Sequence, residues 1–142
     1  VQGADRGSGA SLTRERAVVD TFLAALRGGD IEALVAVLDP DFVIRVDAAA
    51  APPGAPREVR GARNWAKQAI GFARGLRFAQ PALVDGAVGV VVAPRGRLFR
   101  VLRFTIQDDK VVQIDVVADP GSLSQIDLAV LDDRVARGTD IE

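Results

Sequence analysis

Between residues 76 and 119 the chain passes through four apolar, β-branched-rich stretches, 76–84, 87–93, 98–107 and 111–119, separated only by short turn sequences. Asp85-Gly86 is a two-residue hairpin signal, because both central positions of such a turn need a positive φ that Asp tolerates and Gly adopts freely. Pro94-Arg95-Gly96-Arg97 marks a second turn, and residues 107–110 a third. Connections this short leave no room for a crossover, so successive strands pair antiparallel and the segment is predicted to form a meander. A meander with one apolar face needs a second layer to cover it.

The N-terminal half supplies that layer. Val18, Val19, Phe22, Leu23 and Leu26 recur at three- and four-residue spacing, which predicts a helix over 13–27 stopped by Gly28-Gly29. Asp30 is an N-cap for a second helix carrying Ile31, Leu34, Val35 and Leu38, ended by Asp39-Pro40. Strands over 42–47 and 57–60 flank a loop stiffened by Pro52, Pro53 and Pro56, and a third helix over 62–74 places Trp65, Ala69, Phe72 and Ala73 in one stripe. Residues 123–131 are expected to close the fold as a short helix. Residues 1–10 read as a flexible tail or linker, 11–131 as a single α+β domain, and 132–142 as a frayed tail.

Composition narrows the chemistry. The 142-residue chain contains no Cys, His, Tyr or Met, so thiolate nucleophiles, disulfides and histidine-based triads are excluded. A zinc site would have to be built from carboxylates alone, and no metal or cofactor is expected. The 18 basic residues, 16 Arg and 2 Lys, balance 19 acidic ones, which gives no footprint for nucleic acid. No apolar run approaches the ~20 residues of a membrane span, so no membrane partner and a soluble, cytoplasmic protein are expected.

The order of elements comes with particular residues. Val19-Asp20-Thr21-Phe22-Leu23 precedes Gly28-Gly29-Asp30, followed by Leu38-Asp39-Pro40-Asp41, Val59-Arg60-Gly61, Lys110-Val111-Val112 and Ala118-Asp119-Pro120. In that order they resemble the polyketide-cyclase-like (SnoaL-like) branch of the nuclear-transport-factor-like and ketosteroid-isomerase-like superfamily. Within it, Pro81-Ala82-Leu83-Val84-Asp85-Gly86 and Val90-Val91-Val92-Ala93-Pro94 look most like the C-terminal domain of certain extracytoplasmic-function sigma factors. The chain departs from those domains after Asp47, where four alanines stand in place of glycines and a lysine. The resemblance implies an α+β barrel or cone, with a curved antiparallel sheet, three helices packed on its concave face and one apolar pocket. It also implies a homodimer formed through an outer sheet face carrying Val111, Val117 and Phe104 or Leu102.

Aligned on the turn before Lys110, the resemblance points Val101, Arg103 and Thr105 inward together with Val112, Ile114, Val116 and Ala118. Gln113 and Asp115 then face outward. An inward Arg103 would need a carboxylate, carbonyl or ligand partner, since an unpaired buried charge costs several kcal/mol; alternatively it is half of a structural ion pair. With His and Tyr absent, the carboxylate of Asp47 is the candidate general base at the pocket mouth, or else a solvated strand-end residue. Phe22, Trp65 and Phe72 are candidate pocket walls, or ordinary core. Asp47 and Arg103 are therefore the candidate catalytic pair, and Phe22, Trp65, Phe72, Val101, Thr105, Ile114 and Val116 the candidate ligand-binding set. The expected function is binding of a small apolar or partly polar molecule, extended to isomerase, cyclase or hydrolase chemistry if the carboxylate acts as acid and base. The alternative is a non-catalytic regulatory module related to the sigma-factor domain.

Overall fold

The computed structural model describes residues 9–51, 53–54, 56–71 and 78–130. Helices α1 (Gly9–Gly28) and α2 (Ile31–Val37) open the fold, followed by strands β1 (Leu38–Val46) and β2 (Glu58–Arg60) and helix α3 (Ala62–Ala69). Strands β3 (Ala79–Val84), β4 (Ala87–Val92), β5 (Arg100–Gln107) and β6 (Lys110–Val117) form the meander, and helix α4 (Pro120–Leu123) and strand β7 (Leu128–Val130) close it.

The predicted helix signals work as the sequence suggests. Gly29, at φ +69°, takes the left-handed conformation that ends α1, and Asp30 accepts a hydrogen bond from the Ala33 N–H at 3.0 Å to cap α2. Asp85 and Gly86 both have positive φ, as a tight hairpin turn requires, and so do Asp108 and Asp109 in the β5–β6 turn.

One seven-stranded sheet has the order β2-β1-β6-β5-β4-β3-β7. All neighbours are antiparallel except β1 and β6, which run parallel, so the expected antiparallel sheet is mixed at this one seam. Its edges, β2 and β7, do not meet, and the sheet is a curved open cone rather than a closed barrel. The core lies between the helices and the concave face: Val19, Phe22, Leu26, Leu34, Phe42, Val90, Val111 and Ile114 are almost fully buried there. Phe22 stacks on Trp65 with ring centroids 5.9 Å apart and meets Phe104 edge-on at 5.2 Å.

Two expectations change. Residues 128–130, expected in a helix, pair with β3 as β7 instead; the helix is the single turn Pro120–Leu123, capped by the Asp119 carboxylate on the Ser122 N–H at 2.9 Å. The second change concerns which residues face inward. Thr105 pairs with Gln113 but Ile106 pairs with Val111, so Val112 is an extra residue, a β-bulge beside the turn. A shift of one residue exchanges the faces of everything beyond it on one strand relative to the other. Leu102 therefore shares the concave face with Val116, and Phe104 with Ile114, while Val101, Arg103 and Thr105 lie on the convex face.

Candidate functional site

A partly open pocket of about 650 Å³ lies within the cone. Its floor and helix side are Phe22 and Leu26 of α1 and Trp65, Gln68 and Ala69 of α3; its sheet side is Ile44, Val46, Val92, Leu102 and Val116. The loop between β1 and β2 contributes Ala50, Ala51, Pro56 and Arg57 at the mouth, and Phe99 and Arg100 stand opposite. The wall is mostly apolar because inner-face residues of five strands alternate with polar outer ones.

Of the candidate ligand-binding residues, the structure brings Phe22, Trp65 and Val116 to this cavity. Ile114 is fully buried on the same face but packs beneath the cavity without lining it. Phe72 lies outside the described residues. Val101 and Thr105 are on the opposite face for the bulge reason given, and so is Arg103. Arg103 is the ion-pair alternative: its guanidinium bonds Asp85 at 2.6 Å across the convex surface, with both side chains about 40% exposed. Gln113 and Asp115 also face outward, hydrogen-bonded to each other at 2.9 Å.

Asp47 and Arg103 do not meet in one cavity. The Asp47 carboxylate accepts hydrogen bonds from the backbone N–H groups of Ala50 at 3.0 Å and of Ala118 and Asp119 at 2.9 Å each. Burial pushes its pKa up, but these backbone donors, with the Arg57 charge, outweigh burial and hold it below the usual carboxylate value. Such a group stays ionised and fully occupied, which suits a clamp better than a proton acceptor. Glu58 is the carboxylate that does line the cavity. Its hydrogen bond from Arg45 at 3.0 Å and, against the opposing effect of burial, the charge of Arg60 2.7 Å away lower its pKa too.

Arg100 was missed. Beyond the bulge it pairs with Val92 on the same face as Leu102, and its buried Nε has no hydrogen-bond partner among the described residues. The alternation of Leu102, Phe104 and Ile106 with Arg103, Thr105 and Gln107 carried the signal. Read by itself, that pattern turns the larger apolar residues, and Arg100 with them, toward the core.

Among the described residues no helix is long and apolar enough to cross a membrane. Compared with family models, the chain matches none. It is 31% identical over 115 residues to the ECF RNA polymerase sigma factor SigJ of Mycobacterium tuberculosis, an alignment covering 72% of this chain and 37% of that protein. The crystal structure of SigJ superposes with a TM-score of 0.64 at 27% identity, over 78% of this chain and 44% of the other. A putative isomerase from Bacillus subtilis superposes at 0.54 with 14% identity, covering 80% and 91% of the two chains. An NTF2-like protein from Burkholderia xenovorans does so at 0.52 with 21% identity, covering 82% and 98%. The chain thus spans well under half the length of SigJ, and at their lower identities the last two likenesses are of fold.

Proposed function

From an NTF2-like α+β cone that shares sequence with the sigma factor SigJ, we propose that this chain is a small-molecule-binding domain, holding one apolar or partly polar molecule inside the cone. The observation that carries this reading is the cavity of about 650 Å³ bounded by Phe22, Trp65 and Leu102. Its volume falls in the range of small-molecule sites, about 300–1,000 Å³, and an apolar wall with few polar groups is their usual chemistry. Binding without turnover is the form the wall favours, because Asp47 lies outside it and Glu58 is already committed to two arginines. General acid–base catalysis needs a carboxylate free to take a proton.

The similarity to SigJ favours a second reading that is compatible with the first, a regulatory module whose signal is ligand occupancy. The loop carrying Ala50, Ala51 and Pro56 would relay it, since it is both cavity wall and surface. A homodimer formed through the convex sheet face belongs to the same reading.

Titration with 1-decanol tests both readings in one set of samples. Trp65, the one Trp of the chain, should change its fluorescence saturably, and amide exchange in residues 48–56 should slow on binding. An unchanged Trp65 signal would count against the pocket, and a loop indifferent to ligand against the relay.

A further inference from the structure

Among the described residues, the cavity mouth holds a cation, Arg100, with no salt-bridge partner. Arg100 lies on the concave face, paired with Val92 at the first position of β5, and lines both the main cavity and an adjoining one of about 480 Å³. Its guanidinium carbon sits 4.8 Å from the centre of the Phe99 ring, which covers one face of the group and leaves its N–H edge for an in-plane acceptor. The Nε is buried without a hydrogen-bond partner among the described residues. Glu58, the carboxylate in the wall, is engaged by Arg45 and Arg60 and does not offset Arg100. Arg57 adds a second guanidinium at the same mouth, with a long 3.4 Å contact to the Val46 carbonyl.

A half-buried guanidinium with unmet donors is costly, and a carboxylate matches its planar fork better than any other small group. Below the mouth the wall turns apolar and aromatic at Phe22, Leu26 and Trp65. We propose that the cavity selects an apolar carboxylate, its anionic head bound by Arg100 at the mouth and its apolar body packed against Trp65, Leu102 and Val116. This inference rests on the small-molecule reading of the same cavity and adds the class of ligand.

Three probes with one tail and different heads test it: decanoate, 1-decanol and decylammonium, followed by Trp65 fluorescence at neutral pH. Decanoate is expected to bind about tenfold tighter than decanol or better, the worth of one charge-assisted contact, and decylammonium more weakly than either. In Arg100→Leu the preference for decanoate over decanol should disappear, and Arg100→Lys should restore part of it. The head-group series on the unaltered protein stands whether or not the variants fold. Decanol binding as tightly as decanoate, or a preference that survives in folded Arg100→Leu, would overturn the carboxylate assignment and leave the pocket standing. Failure of all three probes to bind would overturn both.

Discussion

Asp47 joins three separate pieces of backbone: the end of β1 that carries it, the Ala50 turn, and the Ala118-Asp119 segment that leaves β6. The residue type was legible in the sequence as a strand-end acid, but its task was not, because its partners are N–H groups 71 and 72 positions away. Asp47→Asn keeps the shape and loses the charge and one acceptor oxygen. It should destabilise the fold by about 1 kcal/mol, the worth of charge-assisted hydrogen bonds discounted for the partial exposure of the carboxylate. The sign of the pH dependence follows from the lowered pKa. The stabilisation is present above the unfolded carboxyl value of about 3.9 and is lost as pH falls through the lower folded value, while the Asn variant lacks this component. Urea unfolding of both proteins between about pH 2 and 7 measures it. Equal stability of the two at neutral pH would show that Asp47 is not a clamp.

At the scale of strands, the meander was readable because its turns are written in residues that accept positive φ, Asp85-Gly86 above all. The facing of β5 differs from the one the resemblance implies when aligned on the turn before Lys110, because Val112 adds one residue beyond that turn. Two adjacent β-branched residues, Val111-Val112, are the only local trace of that bulge. The alternation within β5 itself was the stronger evidence. Residues 128–130 were misassigned for a different reason: a three-residue apolar run has no period of its own, and pairing with β3 decides it. Asp85 fixes that pairing, its backbone N–H donating to the Asp127 carbonyl at 2.7 Å and its carboxylate accepting from the Asp127 N–H at 2.8 Å. The bulge also revises the surface expected to pair two copies. Val111, Leu102 and Phe104 turn inward, Val101 on the convex side is itself fully buried, and the apolar surface left on that face is Val91 and Val117 beside the Arg103–Asp85 pair. A homodimer through that face should appear by light scattering at tens of micromolar protein. Val117→Glu, which sets two like charges against each other across a twofold contact, should shift it to monomer. A monomer in the unaltered protein at that concentration would contradict the dimer.

For the molecule as a whole, helix order, caps and the meander were enough to specify an α+β domain with helices on one face of a sheet, since each local signal agrees with the same global arrangement, and the resemblance supplied the cone. The hollow inside it was expected from the resemblance alone. Whether Trp65, Leu102 and Val116 meet or stand apart depends on sheet curvature and on where the 48–56 loop lies, which no local pattern encodes. The central claim is that this hollow is a binding site, and calorimetric titration with 1-decanol against the unaltered protein and Val46→Trp tests it most directly. Val46 lines the cavity from β1, so a Trp side chain there would fill it from the sheet side while leaving β1 paired. The account predicts one equivalent bound per chain with a negative heat-capacity change in the unaltered protein, and loss of binding in a Val46→Trp variant that still unfolds cooperatively. Equal binding by both proteins, or no measurable binding by the unaltered one, would contradict it.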